Sequence, residues 1–194
     1  MSAGTSTGNN PGWHIRQAVA IVRQGGLIAY PTEGVYGLGC DPLNPEAVQR
    51  LLTLKNRPLH KGLILIAAEP GQLQPYLGTV SPRCWQRILR SWPGPVTWLL
   101  PAGEHTPDWL CGAHTTLAVR VTAHPLAAAL CRRLGGPLVS TSANLSGHPM
   151  ARNPLQVRRQ FPRGIDTILT GRVGPETKPS EIRDARSGRI VRAA

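Results

Sequence analysis

The sequence is poor in acidic, lysine and aromatic residues. Its 194 residues include only 10 Asp and Glu against 22 Lys and Arg, which gives a formal net charge of +12, and aromatic residues make up 5%. Arginine supplies 19 of the basic residues and lysine only 3, a bias that a GC-rich genome would partly explain. A protein this basic attracts nucleic acid through counterion release, so contact with RNA stays open on charge alone.

Membrane, secretory and metal-binding signatures are also missing. No apolar run approaches the roughly 18 residues of a membrane span. Residues 1–12 lack the basic-then-apolar order of a secretory signal and are expected to form a mobile tail. The four cysteines and six histidines are scattered, without the paired spacing of a zinc site. We therefore expect a soluble cytoplasmic protein with reduced thiols, no membrane contact and no metal held by protein ligands alone.

The sequence does contain alternating helix and strand signals. Apolar residues repeat with helical spacing over Ile15–Val22 and again over Asn44–Lys55, which opens with an Asn-Pro pair typical of a helix start. Short apolar runs lie between the helices, including Leu27–Tyr30, and Gly62–Ala68 is typical of a strand buried on both faces. Residues 13–194 are therefore predicted to form one α/β domain with a twisted mixed sheet and flanking helices.

Further elements follow along the chain. Ser81-Pro82 predicts a helix that ends at Pro93, and a second helix is predicted from Pro125 to Leu134. Strands are predicted at Val96–Leu100, Leu117–Thr122, Leu138–Ser140, Thr167–Thr170 and Arg189–Arg192. Asn153-Pro154 indicates the start of a short basic helix, and the stretch around Trp109 is predicted to be a polar loop.

Two distant segments suit the two halves of an anion site. Lys55-Asn56-Arg57 places two cations just past the last apolar position of a predicted helix, and Ser142-Ala143-Asn144 follows a predicted strand. Each has an ordinary alternative, because Lys-x-Arg at a helix end is often solvated and Ser-x-Asn often forms a turn. Together with Lys61 they would suit a nucleotide triphosphate, since Arg makes paired contacts with phosphate and Lys acts as a point charge.

The stretch Tyr30–Cys40 carries three glycines within six residues. It matches neither a P-loop nor a Gly-x-Gly-x-x-Gly turn. We interpret it as a glycine-rich stretch without a helix pattern, whose backbone amides can approach a ligand, with an ordinary glycine-rich turn as the alternative. Thr32 is assigned to a small substrate, because ligands of α/β sheets sit at the carboxyl ends of strands.

Six segments together resemble a known family. PTEGVYGLGCDP, LKNRPLHKGLILIAA, WPGPVTW, LAVRVTAHPL, PLVSTSANLSG and PSEIRDA are similar, in order and spacing, to the YrdC/TsaC family of L-threonylcarbamoyladenylate synthases. The likeness spans residues 13–192 and is to the short, single-domain bacterial form. It implies a twisted α/β sheet with a basic concave face.

The resemblance also implies a reaction. ATP, L-threonine and bicarbonate would give threonylcarbamoyl-adenylate, pyrophosphate and water, in the first step of the threonylcarbamoyladenosine modification of tRNA. Mg2+ would arrive with ATP. Partners would be the proteins that transfer the threonylcarbamoyl group, with direct contact to tRNA or other RNA left open. The alternative function is an RNA-binding or ribosome-maturation module of the same fold.

The family's functional positions carry over residue by residue. The Lys-x-Arg and Ser-x-Asn motifs assign a catalytic role to Lys55, Arg57, Ser142 and Asn144. The ATP-binding set is Arg57, Lys61, Ser142, Asn144 and Arg192, and the threonine-binding set is Thr32, Arg120, Ser140 and Ser180. Two departures are visible: Ile66 stands where some longer relatives have histidine, and the Pro-Gly that often follows the last arginine is missing after Arg192.

Overall fold

Nine strands form one mixed sheet in the computed structural model, which describes residues 11–176 and 180–193. The strands are β1 Ile28–Pro31, β2 Tyr36–Gly39, β3 Ile64–Ala67, β4 Thr97–Pro101, β5 Thr116–Val121, β6 Leu138–Ser142, β7 Thr167–Ile168, β8 Ile182–Asp184 and β9 Ile190–Arg192. Their order across the sheet is β7-β1-β2-β6-β3-β5-β4-β8-β9. The pairs β1–β7, β3–β5 and β4–β8 are parallel and the others antiparallel, which confirms the predicted mixed sheet.

The helices flank this sheet. They are α1 Pro11–Arg23, α2 Pro45–Lys55, α3 Pro82–Leu89, α4 Asp108–Cys111, α5 Pro125–Leu134 and α6 Pro154–Gln160. Three of them begin with a capping side chain followed by proline: Asn44, Ser81 and Asn153 each accept a hydrogen bond from a backbone N–H in the first turn. None of the helices within the described ranges is long and apolar enough to cross a membrane.

Two apolar clusters pack against the sheet. Helices α1 and α5 contribute to one cluster, and α2 contributes to the other. Along β3 the side chains alternate between them, with Ile66 in the first and Leu65 and Ala67 in the second. The prediction of a strand buried on both faces is therefore confirmed for β3, whose first residue alone is partly exposed.

The glycine-rich segment contains a strand that the sequence did not predict. Residues Tyr36–Gly39 form β2, paired with β1 on one side and β6 on the other. A Cβ at Gly39 would lie 2.5 Å from the carbonyl oxygen of Val139 and 2.9 Å from the Tyr30 ring. Glycine is therefore required there by the close packing of neighbouring strands, although it weakens the strand signal in the sequence.

Several boundaries also differ from the prediction. Helix α3 ends at Leu89 rather than Pro93, the loop around Trp109 contains the short helix α4, and β1 includes Pro31 rather than ending before it. Strand β8 was not predicted at all. The expected mobile tail over residues 1–12 lies outside the described residues except for Pro11 and Gly12, which belong to α1.

Candidate functional site

Polar side chains from the centre of the sheet line one open cleft. The cleft has a volume of about 200 Å3. Cationic and hydroxyl groups dominate the polar lining: Thr32, Arg57, Arg120, Ser140, Thr141, Ser142, Ser180 and Arg192. Strand register brings several of them together, since Gly37 faces Ser142, Ile64 faces Ser140 and Ile66 faces Arg120.

Helix α2 ends within the Lys-Asn-Arg segment, at a cap residue in the left-handed backbone conformation. Lys55 is the last residue of α2, and Asn56 adopts φ 48° and ψ 48°, a conformation that asparagine tolerates better than most residues. The N–H of Arg57 then donates to the carbonyl of Leu52 at 2.9 Å. This turn sends Lys55 and Arg57 in different directions, so the two cations have different surroundings.

Lys55 lies inside the protein and holds the other segment. Its side chain belongs to a residue that is 5% exposed, and its Nζ donates to the carbonyl oxygens of Ser142 and, at 2.7 Å, Asn144. Burial, with a smaller contribution from the charge of Arg57, lowers the pKa of Lys55 to about 8. Lys55 is not among the residues that line the cleft. Its observed contacts anchor the turn that follows β6.

Asn144 orders the same turn. Its Nδ2 donates to the carbonyl oxygens of Leu145 at 2.9 Å and His148 at 3.0 Å. These two acceptors fix the amide orientation, so its Oδ1 accepts from Ser142 Oγ at 2.6 Å. Ser142 lines the cleft while its proton points to Asn144. To donate to an anionic ligand, the Ser142 hydroxyl would have to turn its proton away from Asn144.

Arg57 and Arg192 supply charge to the cleft. Arg57 donates from Nη2 to the Gly62 carbonyl at 2.9 Å, while its buried Nε has no hydrogen-bond partner among the described residues. Arg192 donates from Nη2 to the Ser180 carbonyl at 2.8 Å. Burial lowers the pKa of Arg57, and burial together with the charges of Arg120 and Arg57 lowers the pKa of Arg192. The guanidinium of Arg192 is thus close enough to those of Arg120 and Arg57 to be repelled by both, an arrangement that an anion would relieve.

The threonine-assigned residues come from four different strands or the residues next to them: Thr32 follows β1, Arg120 is in β5, Ser140 is in β6 and Ser180 precedes β8. Thr32 and Ser140 are buried, and Thr32 Oγ1 donates to the Val35 carbonyl at 2.7 Å. Ser180 Oγ accepts from Thr97 Oγ1 at 3.1 Å. A Cβ at Gly37 would lie 3.4 Å from Ser140 Oγ and 3.4 Å from the Thr32 methyl carbon, so glycine keeps this part of the cleft open.

Glu33 is a cleft residue that sequence reasoning missed. Its Oε1 accepts from Thr122 Oγ1 at 2.6 Å and from the Ala123 N–H at 2.9 Å, and its Oε2 lies 3.4 Å from Nη2 of Arg120. Burial would raise the pKa of Glu33, but Arg120 and these hydrogen bonds together hold it below its usual value. The available signal was an acidic residue directly after Thr32 in a stretch that is otherwise apolar or glycine.

The structure brings together most, but not all, of the assigned residues. Seven of them line the cleft: Thr32, Arg57, Arg120, Ser140, Ser142, Ser180 and Arg192. Lys55 and Asn144 do not line the cleft, and Lys61 is exposed on the 3-10 turn Leu59–Lys61. Within residues 11–176 and 180–193, no group of three His, Cys, Asp or Glu side chains is arranged to hold a metal ion. The three arginines and the hydroxyl groups give this cleft a lining that suits small molecules with anionic groups.

Comparison with known proteins identifies the family. The chain belongs to the Sua5/yciO/yrdC family, whose model carries the description "Telomere recombination" and matches residues 20–194. It is 57% identical over 182 residues to the threonylcarbamoyl-AMP synthase of Nitrosococcus oceani, covering 94% of this chain and 98% of that protein. It is 55% identical over 180 residues to the threonylcarbamoyl-AMP synthase of Halorhodospira halophila, covering 93% and 94%.

A solved structure of the family agrees with the fold. The crystal structure of P. abyssi Sua5 complexed with L-threonine matches with a TM-score of 0.84 and 35% identity over 89% of this chain. The matched region is 51% of that protein, so this chain spans about half its length. The family resemblance drawn from the six sequence segments is confirmed.

Proposed function

We propose that this protein is an L-threonylcarbamoyladenylate synthase, a nucleotidyltransferase that converts ATP, L-threonine and bicarbonate into threonylcarbamoyl-AMP, pyrophosphate and water. The observation that carries the proposal is the convergence of three arginines and several hydroxyl groups in one cleft. A triphosphate and an amino-acid carboxylate are two anionic groups that such a wall can bind at the same time. The names of the close relatives support the same reaction.

The two substrates are assigned to different parts of the cleft. Arg57 and Arg192 would contact the phosphates of ATP, with Ser142 beside them. Arg120 would bind the carboxylate of threonine, with Thr32, Ser140 and Ser180 around its side chain and amine. The position of all seven of these residues in the cleft lining supports this division.

The remaining assignments act at a distance from the substrates. Lys55 and Asn144 would keep Ser142 in place through the contacts of the turn after β6. Lys61 stays a prediction as an ATP ligand, because its exposed side chain would have to swing toward the phosphates. Mg2+ would enter as part of the MgATP substrate, held by phosphate oxygens and water. The described residues offer no ligand cluster that would hold it independently.

The chemistry requires alignment and charge neutralisation. The unprotonated amine of threonine takes up CO2 derived from bicarbonate and becomes a carbamate. A carbamate oxygen then bonds to the α-phosphorus of ATP, and the bond from that phosphorus to pyrophosphate breaks. Guanidinium groups would neutralise charge that develops on the phosphate oxygens. Holding both substrates in one cleft makes the attack effectively intramolecular, so no protein nucleophile is needed.

The test is direct product formation. The protein is incubated with ATP, Mg2+, bicarbonate and labelled threonine, and pyrophosphate and labelled adenylate are measured. We expect pyrophosphate release that depends on threonine and on bicarbonate. A folded protein that releases no threonine-dependent pyrophosphate would refute the proposal.

The cellular setting is also proposed. The product would pass to proteins that modify the adenosine next to the anticodon of tRNA. A cytoplasmic location is supported by the free thiols of Cys40, Cys84, Cys111 and Cys131, which suit a reducing compartment.

A second candidate function, RNA binding, is favoured by a separate surface. A depression along α3 and its C-cap residue Arg90 is lined by Arg83, Gln86, Arg87 and Arg90, with no carboxylate among them. Their spacing of three and four residues places them on one helix face. Because Arg87 also donates to the carbonyl of Ala185, the test uses Arg83→Glu and Arg90→Glu. Loss of tRNA binding at physiological salt in these variants would support the RNA function, and unchanged or unselective binding would count against it.

A further inference from the structure

Glu33 has surroundings unlike those of the other acidic side chains in the described part of the chain. It is the one Asp or Glu there that is buried, with 7% of its surface exposed. Both donors to its Oε1, Thr122 Oγ1 and the N–H of Ala123, come from the segment that joins β5 to α5. The carboxylate therefore links the turn after β1 to the end of the strand that carries Arg120.

The other carboxylate oxygen of Glu33 forms an ion pair with Arg120. Oε2 lies 3.4 Å from Nη2 of Arg120, and both residues are 7% exposed. Neither Oε2 of Glu33 nor Nε of Arg120 has a hydrogen-bond partner among the described residues. A buried guanidinium needs a countercharge to remain inside the protein, and Glu33 is the carboxylate that forms an ion pair with it.

The geometry favours support of Arg120 over proton transfer. The surface of Oε2 is buried, and Oε1 is already occupied by two donors. The carboxylate also has a pKa below its usual value, with burial opposed by Arg120 and the hydrogen bonds, and such a group is a weak base at neutral pH. These observations do not suit the group that deprotonates the substrate amine.

We propose that Glu33 is a positioning residue for the amino-acid substrate: it holds the Arg120 guanidinium in the wall of the cleft, where Arg120 binds the substrate carboxylate. This inference rests on the proposed function. The inference also gives two adjacent residues related roles: Thr32 would contact the substrate directly, and Glu33 would act on the substrate through Arg120.

Glu33→Gln tests the role with little change of shape. The glutamine oxygen can still accept from Thr122 and Ala123, but its NH2 group faces the Arg120 donors and the countercharge is gone. We expect the KM for threonine to rise by about tenfold or more, as for other residues that orient a ligand-binding group. The KM for ATP should change by less than about threefold, because the phosphate arginines keep their own contacts.

Two further variants complete the experiment. Glu104→Gln removes one negative charge from an exposed residue and should leave both KM values unchanged. Thr122→Val removes one donor to Oε1 and should raise the threonine KM by a smaller factor, which keeps the proposal testable if Glu33→Gln does not fold.

The outcomes separate this inference from the proposed function. An active wild-type protein whose Glu33→Gln variant keeps its threonine KM, or raises both KM values equally while its melting temperature falls, overturns the positioning role alone. A wild-type protein without threonine-dependent pyrophosphate release refutes the proposed function and, with it, this inference. A selective rise in the threonine KM supports both.

Discussion

Lys55→Met is the most informative change at the site, because it separates an anchor from a ligand. The structure gives Lys55 two acceptors, the carbonyl oxygens of Ser142 and Asn144. Hydrogen bonds from a charged donor contribute about 1.5–3 kcal/mol each to the free energy of unfolding. Methionine retains the apolar stem of the side chain but makes neither bond. The loss of these two hydrogen bonds alone would lower the free energy of unfolding by about 3–6 kcal/mol.

A second effect opposes the first. Burial lowers the pKa of Lys55 from 10.5 to about 8, and each pKa unit corresponds to about 1.4 kcal/mol. Removing the buried charge therefore raises the free energy of unfolding by about 3 kcal/mol at neutral pH. The net loss of stability should therefore lie within about 0–3 kcal/mol, and its midpoint of about 1.5 kcal/mol would lower the melting temperature by about 3–6 °C in a domain of this size.

The activity loss should exceed what this stability change explains. Without the Lys55 anchor, the turn that holds Ser142 becomes loose, and adenylate synthesis should fall by about tenfold or more while the protein stays folded at the assay temperature. Lys61→Met is the matched control for stability, because Lys61 is exposed and surface changes shift stability by about 0.5 kcal/mol or less. Scanning calorimetry and threonine-dependent pyrophosphate release measure the two quantities. If Lys55→Met lost activity with an unchanged melting temperature, Lys55 would contact the ligand itself and the anchoring argument would be wrong.

Three further predictions concern the cleft. Arg57→Ala removes one hydrogen bond from a charged donor to a carbonyl, which contributes about 1.5–3 kcal/mol, but it also removes a buried charge whose burial partly offsets that loss. The melting temperature should therefore fall by only a few degrees while activity falls by about tenfold or more; a large drop in melting temperature would indicate a structural role instead. Gly37→Ala places a methyl group 3.3 Å from a tyrosine carbon and 3.4 Å from two substrate-assigned side chains, so steady-state kinetics should show a threonine KM raised several-fold, and an unchanged value would exclude substrate from this position. The lowered pKa of Glu33 means that its contribution to stability is complete above the usual pKa of glutamate, about 4.3, and is lost as pH falls through the lower folded value. Acid unfolding of Glu33→Gln should therefore be less steep than that of wild type, and equal slopes would contradict this.

Local signals predicted most of the helices. The Asn-Pro pair at residues 44–45 and the apolar spacing after it predict α2 because capping and helical periodicity act within a few residues of each other. The same is true of α5, which has the predicted bounds Pro125–Leu134. Strand β2 could not be predicted in this way, because its glycines are required by close contacts with neighbouring strands. One of these contacts, between Gly39 and Val139, joins residues about a hundred positions apart in sequence.

The candidate site was likewise only partly predictable from the sequence. Lys55, Arg57, Ser142 and Asn144 could be found from the family resemblance, but their different roles could not. Whether a lysine faces a ligand or a backbone carbonyl depends on the left-handed turn at Asn56, which carries no strong signal in the sequence. The ion pair between Glu33 and Arg120 joins residues 87 positions apart, and only the fold brings them together.

The contact between Lys55 and the Ser142 turn joins the two predicted halves of the anion site and gives that joint a pH dependence. The folded pKa of Lys55 is about 8 and its ordinary value is 10.5, so the unfolded chain binds more protons between these two pH values. The free energy of unfolding should therefore rise with pH across this interval, by at most about 1.4 kcal/mol per pH unit. The neutral amine still donates to the carbonyls, so the anchor persists while the cost of burying its charge disappears. Lys55→Met lacks this titration, and the difference in stability between wild type and variant should widen from pH 8 toward pH 10 in urea unfolding experiments. A constant difference across that range would show that Lys55 does not titrate there, and the account of its burial would have to be abandoned.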